Sequence, residues 1–136
     1  MKEITVPATL DNVETVTEFV NEQLDGLCCP LPVRTQVDIA IDEVFSNIAR
    51  YAYSTEEGMA TVRMDVTEKP PSVTLTFIDH GKPFDPLTAD APDTTLAAKQ
   101  RHIGGLGVFM LKKTMDDIAY ECRDGMNILT IHKSFV

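Results

Sequence analysis

The sequence lacks any apolar run near the roughly 20 residues that a membrane-spanning helix needs. Its first ten residues, MKEITVPATL, also lack the long apolar core of a secretory signal, so we expect a cytoplasmic protein. Positive charge is scarce as well, because 12 Lys and Arg residues stand against 21 Asp and Glu residues, for a net charge of −9. Nucleic acids and anionic membranes would be repelled, so neither is an expected direct partner.

Cysteine is also scarce, and internal repeats and low-complexity tracts are absent. The three cysteines, Cys28, Cys29 and Cys122, show no CxxC spacing, and the adjacent pair could form only a strained vicinal disulfide. We therefore expect reduced, buried thiols. With 136 residues the chain can bury one core, and we interpret residues 1–136 as a single domain.

Helix and strand patterns follow one another along the chain. Apolar residues spaced by three and four predict one helix from a Thr9 cap to about Asp25, and others over about 33–52 and from Gly105. Alternating or β-branched segments predict strands, and an Asp-Gly turn predicts a hairpin between the last two; the strands cover 2–6, 59–68, 72–79, 118–123 and 126–134. The order predicts an α/β two-layer sandwich, with a mixed, mainly antiparallel sheet and helices on one face.

Residues 80–103 interrupt this regular patterning. They are rich in proline, glycine, threonine and charge, with at most a short helix near 96–99. A connection this long in so small a domain is usually functional, so we interpret it as a lid or binding loop that is loosely held without ligand.

The segment DIAIDEVFSNIARYAY, residues 38–53, has the apolar pattern of a buried helix, and Ile39 is among the residues expected in the core. Two polar residues are exceptions to this pattern. Glu43 and Asn47 are four residues apart, so they lie one turn apart on the same helix face. Asn47 is a neutral oxygen ligand suited to Mg²⁺ that already carries phosphate oxygens, and Glu43 could polarise a nearby water or hydroxyl. The alternative interpretation is a solvated helix face.

Two glycine-containing segments are further candidates. In GGLG, the backbone of Gly104, Gly105 and Gly107 could approach a phosphate chain at a helix N-terminus, or could serve only as a hinge. In DHGKPFDP, Asp79 ends an apolar strand, where its carboxylate could accept a hydrogen bond inside a pocket, and Gly81 makes room for a flat ligand. The alternative for this second segment is a turn that Asp79 caps.

Taken in this order, the three motifs resemble the ATP-binding domain of the Bergerat-fold (GHKL, histidine-kinase-like) ATPases. E-x-x-x-N is similar to the N box of that class, D-x-G to its G1 box and G-G-x-G to its G2 box. Within the class, FIDHGKPFDP and GGLGVFMLKKTMDDIAYE most resemble the small stand-alone anti-sigma-factor serine/threonine kinases. No dimerisation helix with a substrate histidine is recognisable, which favours the stand-alone type.

The resemblance implies a role for each matched residue. Asn47 would coordinate Mg²⁺, and Glu43 would be the catalytic residue that assists phosphoryl transfer. Asp79 would accept a hydrogen bond from the adenine amino group, and Gly81 would pack under the base. The glycines of GGLG would cradle the phosphates.

One departure from the family pattern concerns the base. Many relatives carry a threonine near the adenine directly after the hairpin glycine, whereas here Met126 follows Gly125. Thr130 lies on the same strand, and whether it takes that role is open.

The resemblance also implies a function and partners. The expected protein is an ATP- and Mg²⁺-binding anti-sigma factor with serine/threonine protein kinase activity toward an anti-anti-sigma protein, and it would regulate transcription through a sigma factor. Two alternatives stay open: an ATP-gated partner-binding module without phosphotransfer, and the ATP-binding half of a split histidine kinase. A homodimer also stays open.

Overall fold

The computed structural model describes residues 1–53, 58–83, 85 and 105–136, with only the backbone for 105–108. Along the chain, the elements are β1 (Lys2–Pro7), α1 (Asn12–Asp25), α2 (Leu31–Asn47), a π-helical segment (Ile48–Ala52), β2 (Met59–Glu68), β3 (Pro71–Asp79), α3 (Gly105–Thr114), β4 (Asp117–Arg123) and β5 (Met126–Ser134). Most of the predicted lid, including the short helix near 96–99, lies outside the described residues.

The five strands form one sheet in the order β1-β2-β3-β5-β4, and each neighbouring pair is antiparallel. Strand β3 is central, with β2 on one side and β5 on the other. Asp124 and Gly125 adopt positive φ angles of 55° and 78° in the turn between β4 and β5, as the predicted hairpin requires. The predicted α/β two-layer class is confirmed, although the sheet of the described residues is wholly antiparallel and not mixed.

The core lies between the helices and one face of the sheet. Period-two alternation turns every second residue of β2, β3 and β5 toward the helices, and helical spacing turns one face of α1 and α2 toward the sheet. The largest side chains that are fully buried there are Phe45, Phe77, Leu24, Ile41, Met64 and Leu75. The opposite face of the sheet is polar, as an ion pair between Arg63 and Glu3 illustrates.

Two local predictions about the helices were wrong. Helix α1 begins at Asn12 rather than after a Thr9 cap, because the Asn12 side-chain amide donates to Pro7 O at 2.8 Å and to Thr9 Oγ1 at 3.1 Å and so closes a preceding turn. Ile39, expected in the core, has 52% of its surface exposed. It adjoins Ala40 and Ile41 in sequence, but successive helical residues point about 100° apart, so not all three can face the sheet.

The thiols are free, as expected, but the expected burial is wrong for two of them. Cys28 and Cys122 are exposed, and Cys29 is half-buried. Cys28 lies in the turn after α1 with a φ of 54°, and Cys122 lies on the edge strand β4. Both positions are peripheral to the helix–sheet interface, which explains their exposure. No helix in the described parts of the chain is long and apolar enough to cross a membrane.

Candidate functional site

Helix α2 places Glu43 and Asn47 together. Both side chains are half-buried, and Asn47 Nδ2 donates a hydrogen bond to Glu43 Oε1 at 3.1 Å. The two residues therefore form one pair, as their spacing predicted, and they do not belong to a fully solvated helix face. Because the amide nitrogen faces Glu43, the oxygen Oδ1 is the atom of Asn47 that is suited to a cation.

Burial raises the pKa of the Glu43 carboxyl above its ordinary value. The hydrogen bond from Asn47 and the positive charge of Arg50 act in the opposite direction, and the negative charge of Asp42 adds to the increase. A carboxylate with a raised pKa is a stronger base than an ordinary glutamate carboxylate. The environment of Glu43 therefore suits general acid–base chemistry.

The π-helical segment brings α2 against the end of β3. Lys82 N donates to Ala52 O at 2.9 Å, and a Cβ atom on Gly81 would lie only 2.2 Å from the same carbonyl oxygen. Glycine is therefore required at position 81 by this close approach of two backbones. Asn47 precedes Ala52 by five residues, or roughly 8 Å of helix, so the E-x-x-x-N and D-x-G motifs are neighbours in the fold.

Asp79 is a buried carboxylate at the end of β3, with only 4% of its surface exposed. Its Oδ1 accepts from Gly81 N and from Asn127 Nδ2, both at 2.9 Å. Neither of these two hydrogen bonds is made to the second carboxylate oxygen, Oδ2. The turn-capping interpretation is thus correct for Oδ1, while Oδ2 is the oxygen suited to accept from a ligand.

Sequence reasoning missed Asn127. It is buried on β5 directly opposite Asp79, and its Nδ2 also lies 3.0 Å from Lys82 O and 3.3 Å from Gly81 O. The Tyr120 hydroxyl donates a short hydrogen bond to Asn127 Oδ1. The sequence did contain a signal for it. Asn127 falls in the alternating pattern of β5 at an inward position, where Leu129 and Ile131 are apolar.

The sequence leaves Thr130 open as a substitute for the family's threonine near the adenine. It does not lie beside Asp79 as Asn127 does. It pairs with Thr76 in the β3–β5 register, an odd number of residues away from Asn127. Successive side chains of a strand point to opposite faces, so Thr130 lies on the face of the sheet away from Asp79.

The glycines of GGLG are described only in part. Gly105 and Gly107 lie in the first turn of α3, where the backbone N–H groups have no partner within the helix. Gly104 lies outside the described residues. The predicted start of this helix at Gly105 is confirmed, and the helix ends at Thr114.

The side chains of the candidate site suit a cation that is coordinated mostly by water and phosphate oxygens. No group of three or more His, Cys, Asp or Glu side chains in the described ranges could hold a metal ion. Mg²⁺ in phosphate sites typically keeps waters and phosphate oxygens and takes only one or two protein ligands. A single amide oxygen, that of Asn47, fits this mode of binding.

The fold and these motifs define an ATP-binding domain of the histidine-kinase type, and comparison with known proteins agrees. Residues 6–133 match the family described as "Histidine kinase-like ATPase domain". The chain belongs to this family, which implies ATP binding, usually with Mg²⁺.

Its sequence relatives include named protein kinases. The chain is 27% identical over 99 residues to serine/threonine-protein kinase BtrW of Bordetella bronchiseptica, covering 73% of this chain and 69% of that protein. It is 30% identical over 96 residues to serine-protein kinase RsbW of Listeria monocytogenes, covering 67% of this chain and 60% of that protein.

The fold is similar to that of a solved light-sensing kinase. The blue-light activated histidine kinase of Erythrobacter litoralis superposes with a TM-score of 0.58 at 17% identity, over 78% of this chain and 31% of that one. This likeness shows the shared fold.

Proposed function

We propose that the protein is an ATP-dependent serine/threonine protein kinase of the anti-sigma-factor type. The observation that carries the proposal is the Glu43–Asn47 pair, a half-buried carboxylate hydrogen-bonded to an amide whose oxygen can face a metal. Family membership supports ATP as the phosphoryl donor, and the names of two relatives support a serine or threonine hydroxyl as the acceptor.

In the proposed mechanism, each residue of the site has one task. Asp79 accepts from the adenine amino group, and Gly81, which lies against the Ala52 carbonyl, packs under the base. Asn47 offers Oδ1 to Mg²⁺, which when bound neutralises charge on the phosphate oxygens. Glu43 accepts the proton of the attacking hydroxyl, whose oxygen would bond to the γ-phosphorus while the bond from that phosphorus to ADP breaks and ADP leaves. The first turn of α3 directs N–H groups toward the phosphates. Catalysis then rests mainly on positioning and on charge stabilisation.

The proposed partners are two proteins. An anti-anti-sigma protein supplies the hydroxyl that is phosphorylated, and a sigma factor is the target held inactive, which places the protein in the control of transcription. Their identification rests on the similarity of FIDHGKPFDP and GGLGVFMLKKTMDDIAYE to the stand-alone kinases. A cytoplasmic location and a single domain over residues 1–136 belong to the same proposal.

The test is phosphotransfer from Mg·ATP to the cognate anti-anti-sigma protein, with Glu43→Ala as the variant. A general base contributes more to the transition state than to nucleotide binding, so transfer should fall by roughly 10²–10⁴-fold. ATP affinity, measured by calorimetry, should stay within several-fold. Glu18→Ala, which removes an exposed carboxylate of α1, is the matched control and should transfer phosphate at the normal rate.

Three other results would each correct a different part of the proposal. Equal transfer rates for Glu43→Ala and the unmodified protein would contradict the role of Glu43. ATP binding without transfer to any candidate partner would favour an ATP-gated binding module. A phosphohistidine product would favour the ATP-binding half of a split histidine kinase.

A further inference from the structure

We infer that Asn127 and Tyr120 are positioning residues that hold Asp79 as a hydrogen-bond acceptor and thereby set a preference for adenine over guanine; this inference rests on the proposed ATP site. It is carried by a chain of hydrogen bonds across three strands. The Tyr120 hydroxyl on β4 donates to Asn127 on β5, which donates to Asp79 on β3. We call these three residues the relay.

The direction of the relay is fixed by chemistry. An amide oxygen can only accept a hydrogen bond and an amide NH₂ can only donate. The Tyr120 hydroxyl must therefore be the donor to Asn127 Oδ1. Asn127 Nδ2 then faces Asp79 Oδ1 at 2.9 Å, so Asp79 must accept.

The opposite orientation of the Asn127 amide is disfavoured by three groups at once. Turning it over would direct Oδ1 at the Asp79 carboxylate and at the carbonyl oxygens of Gly81 and Lys82, which now lie 3.3 Å and 3.0 Å from Nδ2. All of these are acceptors, and an unpaired buried acceptor is costly. Asn127 thus links β5 to both the carboxylate of Asp79 and the turn that follows it.

The consequence concerns which base the site accepts. With Oδ1 held by two N–H donors, the Asp79 carboxylate presents Oδ2 as an acceptor as well. Adenine carries an amino donor at the position where guanine carries an oxygen acceptor. A guanine in the same pose would set two acceptors against each other, so the relay favours adenine.

The experiment measures ATP and GTP affinities by calorimetry, with Mg²⁺, for the unmodified protein and three variants. Asn127→Asp keeps the shape of the side chain but replaces the donor by an oxygen. Tyr120→Phe removes only the hydroxyl at the edge strand, so the fold should persist. Thr130→Val changes the outward face of β5 and is the matched control.

We expect the ratio of ATP to GTP affinity to fall by about tenfold or more in Asn127→Asp, as for the loss of a charge-assisted hydrogen bond. Tyr120→Phe should lower it several-fold, and Thr130→Val should leave it unchanged. The ratio does not depend on the fraction of folded protein, so loss of stability alone would not change it.

A second readout needs no nucleotide. The Gly81 amide donates to Asp79 Oδ1, so its hydrogen exchange in the ligand-free protein should quicken in Asn127→Asp and Tyr120→Phe but not in Thr130→Val. If the unmodified protein prefers ATP and both relay variants keep that ratio, the inference is overturned while the proposed function stands. If neither the unmodified protein nor any variant binds ATP or GTP, the inference and the proposed function are both overturned. This holds whatever the hydrogen-exchange rate of the Gly81 amide.

Discussion

The two ends of the β3–β5 pair occupy the same face of the sheet but are built differently. Leu75 lies opposite Ile131 in the apolar core, whereas four residues further along Asp79 lies opposite Asn127. All four side chains are buried. Burying a carboxylate and an amide costs free energy that an apolar pair would not, unless hydrogen bonds compensate. We therefore propose that the polar pair serves ligand binding, whereas the apolar pair serves stability.

The helix layer repeats this division. Ile41 and Phe45 of α2 are fully buried against the sheet, while Glu43 and Asn47 form a half-buried pair on a flanking face. The polar residues of both layers lie toward the end where Ala52 approaches Gly81. We call Glu43, Asn47, Asp79 and Asn127 the polar end. Substitutions there should change ligand binding or catalysis, and substitutions in the apolar core should change stability.

The largest expected effect on free energy lies in the apolar core. Leu75→Ala should lower the free energy of unfolding by about 2–5 kcal/mol, because it removes buried methyl groups and leaves a cavity. Urea unfolding measures this loss. ATP affinity per folded molecule should stay close to normal, and a drop in that affinity as large as the loss of stability would break the division between the two regions.

Asn47→Ala should weaken Mg·ATP binding while leaving stability almost unchanged, the opposite of Leu75→Ala. Loss of a hydrogen-bonding ligand to a charged group costs about 1.5–3 kcal/mol, or roughly 10- to 100-fold in Mg·ATP affinity. Stability should change little, since alanine is the best helix former. Thr35→Ala, on the exposed side of the same helix, is the control for both measurements. A variant that unfolds but binds normally per folded molecule would make Asn47 a structural residue.

The smallest effect should come from Glu43→Gln, which keeps an oxygen for Asn47 but removes the charge. Burial raises the pKa of Glu43 in the folded state, so the ionised form opposes folding once the pH rises through that pKa. The variant should therefore be more stable than the unmodified protein at neutral pH, by roughly 0.5 kcal/mol given the partial exposure.

The difference in free energy of unfolding between Glu43→Gln and the unmodified protein should shrink as the pH falls below the ordinary pKa range of glutamate. There, both proteins carry a neutral side chain at position 43. Urea unfolding over a pH series measures it. A variant that is less stable than the unmodified protein at neutral pH would show that the Glu43 charge stabilises the fold.

The parts of the fold that could be predicted are those encoded by local patterns. Strand β2 has the predicted bounds, Met59–Glu68, because its alternation is uninterrupted, and the Asp-Gly turn set the β4–β5 hairpin. The pairing of Glu43 with Asn47 followed from helical geometry alone. In each case the residues that decide the structure are close in sequence.

The parts that could not be predicted depend on distant contacts. Asn127 and Asp79 are 48 residues apart, and only the β3–β5 register brings them together. The π-helical segment at Ile48–Ala52 carries no local signal, and its position next to Gly81 is a tertiary contact. The exposure of Ile39 likewise depends on how α2 is rotated on the sheet.

The central claim is that the polar end binds adenine nucleotides. Calorimetric titration of the unmodified protein with ATP, ADP and GTP in the presence of Mg²⁺ tests it most directly. Because Asp79 can only accept, ATP and ADP should bind and GTP should not. Equal affinities for ATP and GTP would contradict the role given to Asp79 and, with it, the assignment of the polar end as an adenine site.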